Sequence, residues 1–229
     1  LETLVKATGT RILAWALMDN HVHLLVFSGP GGISKFMRRL LTGYAIYYNR
    51  RYSRKGHLFQ NRYKSIVCDQ DSYLLELVRY IHLNPLRAGL VKNLRRLNSY
   101  RWCGHSVLVG KSAIRWQERD YVLKHFGDNA RQAVQNYQEY MAEARIQERR
   151  PELVGKGLVR SLGGWSRVVT LRDKGDAPDH DSRILGDEDF VAQILSESEK
   201  RLRRQVYVKG QKEIIGRIVS AFCAKEGIS

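Results

Sequence analysis

Between Asn20 and Cys68 the chain carries no aspartate and no glutamate. A solvated surface ordinarily mixes both signs to limit self-repulsion, so a long stretch of one sign reads as a surface for a polyanion. Lys35, Arg38, Arg39, Arg50, Arg51, Arg54, Lys55, Arg62 and Lys64 all fall inside it. The whole chain leans the same way, with 39 Lys and Arg against 23 Asp and Glu over 229 residues, a formal charge of +16. That balance sets nucleic acid ahead of a membrane surface as the expected partner. Cysteine is scarce as well. Cys68, Cys103 and Cys223 show no CxxC spacing, which excludes a zinc ribbon, offers no disulfide framework and makes a reducing cytoplasm the expected compartment. No apolar run is long enough to cross a bilayer and no signal peptide is visible, so no membrane partner is expected. Internal repeats and low-complexity tracts are also missing.

What is present is ordered by apolar periodicity. Hydrophobic residues make up 43% of the chain, enough for a real core. Residues 1–8 read as the tail of a helix closed by Gly9. Residues 11–18 and 21–28 read as two strands joined by the polar pair Asp19-Asn20, which suits a hairpin. Gly29-Pro30-Gly31-Gly32 then breaks the chain. Ser34 is placed to cap a helix to about Arg50, with Ile33, Phe36, Met37, Leu40, Leu41, Tyr44 and Tyr48 as its apolar stripe. Residues 58–68 read as another strand. Asp71 or Ser72 is placed to cap a helix over about 73–83, with Leu74, Leu77, Val78 and Ile81 packed and Tyr80 near the stripe's edge. A short helical turn over 85–91 closes near Gly89, residues 98–110 are irregular and aromatic, and 118–149 are mainly helical. Six glycines and the polar run Arg172–Ser182 make residues 150–190 read as loop or linker, followed by helices over about 188–204 and 212–225.

Within that frame, His21 and His23 stand out. In a strand, residues i and i+2 share a face, so the two imidazoles project together and could hold one divalent cation. Tyr80 and Asn84, spaced i, i+4, share one helix face. Each part also has a structural reading. A His-x-His pair can be satisfied by protein partners, Tyr80 is one of 12 tyrosines, and Asn84 followed by Pro85 suits the cap and first position of a new helical turn. The aromatics interleaved with the basic stretch (Phe36, Tyr44, Tyr47, Tyr48, Tyr52, Phe59 and Tyr63) divide between core positions and rings that could stack on unpaired bases.

The segments LMDNHVHLLV and GHLFQNRYKSIVCDQDSYLLELVRYIHLNPLRAGLV resemble the single-tyrosine HUH transposases, in particular the REP-associated branch. In that family two histidines flank one hydrophobic residue on a strand, matching His21-Val22-His23. The nucleophilic tyrosine lies on a later helix, matching Tyr80, and the third metal ligand, Asn or Gln, lies one turn on, matching Asn84. The resemblance covers about residues 1–110. It implies a ferredoxin-like α+β fold: an antiparallel sheet with helices on one face and a mainly helical C-terminal extension. Family members begin with a further strand and most of a helix, so Leu1 falls at the end of that helix and the first strand lies outside the sequence given. The implied activity is a Mg²⁺- or Mn²⁺-dependent endonuclease and strand transferase. It acts on single-stranded DNA beside hairpins through a 5′-phosphotyrosine link, in the cytoplasm and at the nucleoid.

The expected division is a catalytic domain over 1–110, a helical extension and linker over 111–185, and a helical segment over 186–229. The end of that segment, KEIIGRIVSAFCAKEGIS, resembles the opening helix of the helix-turn-helix domain of chromosomal replication initiators, and an ordinary amphipathic helix fits it equally. Lys35, Arg38 and Arg39 on one helix are expected to border the active site, with Arg54, Lys55, Arg62 and Lys64 on the following loop and strand extending the DNA surface. A homodimer is one open arrangement. Two other functions stay open: a DNA-hairpin-binding protein of the same fold without catalysis, and a zinc hydrolase built on His21 and His23 with Asp69 or His57.

Overall fold

The computed structural model of the chain describes residues 1–143, 184–187 and 189–201. The described residues fall into two compact units, residues 1–65 with 70–143, and residues 66–69 with 184–187 and 189–201. Among them no helix is long and apolar enough to cross a membrane.

The first unit opens with helix α1, Glu2–Thr8, which ends on Gly9 in the left-handed region at φ 65°. Glycine reaches that conformation without steric cost and stops the helix cleanly. Strands β1 (Arg11–Leu17) and β2 (Val22–Phe27) form an antiparallel hairpin. The Met18 N–H donates to the His21 carbonyl at 2.9 Å, leaving Asp19-Asn20 as the two turn residues. The chain then passes so close to α1 that a Cβ on Gly29 would collide with the Thr8 carbonyl oxygen. Helix α2 runs Gly32–Arg51. It begins two residues before Ser34, and the Ser34 hydroxyl meets the Tyr63 hydroxyl at 2.8 Å instead of capping.

Strand β1 is buried along nearly its whole length. Its run Ile-Leu-Ala-Trp-Ala does not alternate, and a strand of that kind is covered on both faces. Leu13 is an irregularity in the pairing, so Ile12 faces Val26 while the next pair is Ala14 with Leu25. Ile12 and Trp15 pack with Phe36 and Met37 of α2, together with Leu24 and Val26. Ala14 and Ala16 pack on the other face with Leu74, Val78 and Ile81, flanked by Leu25 and Phe27. Those three core residues belong to helix α3, Gln70–Arg87. The α+β class with an antiparallel sheet is therefore as expected, with helices on both faces of the hairpin and not on one.

Helix α3 passes without interruption through Asn84-Pro85. Pro85 forfeits one ladder bond but sits within a turn of the helix end, and the Pro85 carbonyl accepts from Leu90 N at 2.9 Å. Beyond it come the short helices α4 (Leu94–Leu97), α5 (His105–Leu108) and α6 (Arg119–Leu123), a 3₁₀ turn (Lys124–Phe126), and α7 (Ala130–Glu143). The outer edge of β1 is covered by loops: Leu17 N donates to the Trp102 carbonyl, Gly104 N to Trp15, and Glu118 N to Ile12, each at 2.8–2.9 Å. The core that begins in β1 and α3 continues through Val122, Leu123, Ala133, Tyr137 and Met141.

In the second unit, strand β3 (Val67–Cys68) pairs in parallel with β4 (Ile184–Leu185). The strand expected over 58–68 is thus limited to its last two residues, and 58–66 form no ladder with the hairpin. A strand needs a partner edge as well as strand-like composition, and Gln60, Asn61, Arg62, Lys64 and Ser65 bring no apolar face to bury. Residues 189–201 are helical, inside the expected 188–204. The expected helix over 212–225 and most of the expected linker lie outside the described residues.

Candidate functional site

The hairpin turn positions two imidazoles. His23 pairs across the hairpin with Ala16, so its ring stands on the face that α3 covers, beside a residue too small to crowd it. His21 lies one residue before β2. Its Nδ1 is 2.7 Å from Asn20 Oδ1, an acceptor, so Nδ1 carries the proton and neutral His21 presents a bare Nε2. That Nε2 lies 3.1 Å from His23 Nε2, with the rings edge to face at 4.8 Å. Burial, and secondarily the neighbouring His21, pulls His23 down to about 4, so it is neutral at physiological pH.

Tyr80 reaches the pair from α3. Its ring stands edge-on to the His23 imidazole, with centroids 6.1 Å apart and planes at 86°. Arg87, two helical turns on, lays its guanidinium over the Tyr80 ring at 5.1 Å and approaches the Tyr80 carbonyl at 3.4 Å. Tyr80, Asn84 and Arg87 fall at i, i+4, i+7, the spacing of one helix face. That spacing is the signal in the sequence that could have singled out Arg87. Asn84 is only 9% exposed, and its side-chain Nδ2 is buried without a hydrogen-bond partner.

On the inward side of the same helix, His82 and His105 both direct Nδ1 at the Tyr137 hydroxyl, at 2.8 and 2.7 Å. His105 Nε2 donates to Asn98 Oδ1 at 2.7 Å, so its Nδ1 accepts from Tyr137, whose oxygen in turn accepts from His82 Nδ1–H. Burial holds His105 down to about 4 and His82 well below the ordinary imidazole range. This neutral network fastens α3 to α5 and α7, and its members lie too far apart in sequence for spacing to reveal it.

The donor chemistry fits a divalent cation. Two ligands at about 2.1 Å and a right angle are about 3.0 Å apart, close to the observed nitrogen separation. Among the described residues no three His, Cys, Asp or Glu side chains cluster as a metal site, so a third ligand drawn from those residues is an amide, a hydroxyl or a carbonyl. Rotating the Asn84 amide by half a turn would present its oxygen in place of the orphaned nitrogen.

Lys35, Arg38, Arg39, Arg54, Lys55, Arg62 and Lys64 are all exposed, and none takes part in the ion pairs of the described residues. Helix α2, however, packs on the face of the hairpin opposite His23 and Tyr80. Lys35, Arg38 and Arg39, expected to border the active site, therefore stand on a helix that covers the other face of the hairpin. Odd residues of β2 face α3 and even residues face α2.

No curated protein and no solved structure matches the chain at a significant level. Residues 1–84 do match a family model, transposase IS200 like. The matched stretch includes His21, His23, Tyr80 and Asn84, so the segment that carries the site is similar to the transposases of that family.

Proposed function

We propose that this chain is a DNA strand transferase of the REP-associated single-tyrosine kind, which cuts and rejoins single-stranded DNA beside hairpins. The observation that carries the reading is the meeting of the His21–His23 nitrogen pair with Tyr80 on one face of the hairpin. The family match over residues 1–84 supports the transposase part of it.

In this reading His21, His23 and Asn84 hold Mg²⁺ or Mn²⁺. Two nitrogen donors favour Mn²⁺, and phosphate oxygens supply the hard donors that either ion prefers. A bound ion supplies Lewis-acid polarisation of a phosphate oxygen. The chain supplies the remaining chemistry. Burial keeps His23 neutral, so a shift of its ring proton from Nε2 to Nδ1 is enough to free Nε2 as a ligand. The Tyr80 oxygen attacks phosphorus; the O–P bond forms as the bond from phosphorus to the 3′ oxygen breaks. The phenol proton is released, and the departing oxygen becomes a free 3′-OH. The Arg87 guanidinium over the ring stabilises negative charge on the Tyr80 oxygen when the link is later broken. Attack by a second 3′-OH restores the phenol, so the rejoining step needs no nucleotide cofactor.

The test is incubation of the chain with hairpin-bearing oligonucleotides and Mn²⁺, followed by denaturing electrophoresis. A covalent adduct formed by the wild type and lost in Tyr80→Phe supports the reading. Hairpin binding without any adduct in the wild type would leave a non-catalytic DNA-binding protein of the same fold.

A further inference from the structure

Helix α2 is built in two unlike halves. Phe36 and Met37 are buried against Ile12 and Trp15, with Ile33, Leu40 and Leu41 around them. From Thr42 to Arg51 no residue is buried, yet this half is the aromatic one. Tyr44, Tyr48 and Tyr52 follow at i, i+4 and i+8, with ring centroids 6.0 and 4.5 Å apart, and Phe59 adds a fourth ring 6.2 Å from Tyr44. Tyr44 is 50% and Tyr52 57% exposed. Arg54 lies over the Tyr48 ring at 5.8 Å.

We propose that this aromatic ladder is a stacking platform for the unpaired bases of single-stranded DNA. The proposal rests on the DNA reading above and names a surface for it on the helix that covers the other face of the hairpin from Tyr80. Bases stack on exposed aromatic faces whatever their sequence, and a cationic border tracks the phosphates between them. Arg50, Arg51, Arg54 and Lys55 supply that border within one turn of the ladder's end, in the segment that contains no carboxylate. The same charges argue against a second copy of this chain. A two-fold contact through the ladder would press these cations onto their own counterparts, and the segment brings no acid to neutralise them. Solubility alone requires no run of half-exposed tyrosines.

The experiment uses the full chain carrying Tyr80→Phe, without metal, so that binding is read apart from chemistry. The affinity for a labelled oligothymidylate is measured across a salt series for the parent and for Tyr44→Ala with Tyr52→Ala. A blunt duplex and an oligouridylate are run beside it. Loss of the two rings is expected to weaken oligothymidylate binding by about 30-fold or more, with the salt slope and the melting temperature unchanged. Tyr44→Trp is expected to retain the parent's affinity. Equal affinity in the parent and the double variant overturns the proposal, as does tighter binding of oligouridylate. A loss of affinity matched by a change from dimer to monomer in sedimentation overturns it in favour of a contact between copies. If the parent binds no single strand at all, both this proposal and the DNA reading fall. Ring-dependent binding by a wild type that forms no covalent adduct removes only the catalytic reading.

Discussion

His23 and Tyr80 come from elements far apart in sequence, yet their rings stand edge to face at 6.1 Å on one side of the hairpin. Ala16, opposite His23, leaves the space, and α3 fills it with Tyr80 because Leu74, Val78 and Ile81 anchor that helix to the same face. The site is therefore a consequence of core packing, and the variants below test its parts separately.

The buried imidazoles set a pH dependence of stability. Burial holds His23 and His105 down to about 4 and His82 well below the ordinary imidazole range. A group whose folded value lies below its unfolded value near 6.5 contributes its full stability above 6.5 and loses it as pH falls toward the folded value. Thermal melts are expected to show constant stability above pH 7 and a progressive loss between about 6.5 and 4. For fully buried His105 alone the loss is about 3 kcal/mol by the bottom of that range. A melting temperature independent of pH from 7 to 4.5 contradicts this.

Tyr137→Phe removes the hydroxyl shared by His82 and His105. Two buried ring nitrogens then lack partners, and the cost is expected to be roughly 2–4 kcal/mol in denaturant unfolding. Because the network stands behind α3, hydrogen exchange in that helix should quicken as well. A destabilisation below about 0.5 kcal/mol would mean that the network does not anchor the helix.

The local elements were legible because their signals are local. Gly9 stops α1, Asp19-Asn20 turns the hairpin, and His21-Val22-His23 shows its shared face through the pleat alone. Tyr80 and Asn84 show their spacing in the same way. Other features depend on contacts distant in sequence. Leu13 disturbs the pairing of β1, and that strand's two-sided burial puts α2 and α3 on opposite faces. Val67-Cys68 finds its partner at Ile184-Leu185, more than a hundred residues on. Pro85 suggests a helix boundary to any local reading, but α3 continues because its apolar face keeps packing past Ile81 through Leu83.

Arg87→Met tests the guanidinium over Tyr80. The ring contact and the charge are lost while the side-chain stem remains, so the fold should survive. Covalent adduct formation is expected to slow by about tenfold, the equivalent of about 1.4 kcal/mol, which lies within the range of a partly desolvated cation–ring contact. Arg87→Lys should recover part of the rate. Unchanged kinetics in the Met variant would assign Arg87 a purely structural role.

Metal binding can be read without activity. Titration calorimetry with Mn²⁺ should show one site in the wild type and none in His21→Ala with His23→Ala. Saturating Mn²⁺, at about 100 times its dissociation constant, should stabilise the wild type by about 2.7 kcal/mol. Asn84→Ala is expected to weaken the site without abolishing it. Full affinity in that variant rejects Asn84 as a ligand.

Arg62 and Lys64 are exposed and outside the ion pairs of the described residues. If both touch phosphate, replacing both with Ala flattens the salt dependence of single-strand binding by about one unit or more, at roughly 0.7 per contact. An unchanged slope would place the DNA elsewhere, with the basic stretch Lys200–Arg204 the next segment to test.

The central claim is that Tyr80 is the nucleophile, and the most direct measurement is mass spectrometry of the DNA-linked peptide after digestion of a wild-type reaction with a hairpin oligonucleotide and Mn²⁺. The account predicts a nucleotide 5′-phosphate esterified to Tyr80, with a free 3′-OH on the released strand and no adduct in Tyr80→Phe. A phosphotyrosine mapped to Tyr73 or Tyr63, or an adduct that persists in Tyr80→Phe, contradicts it.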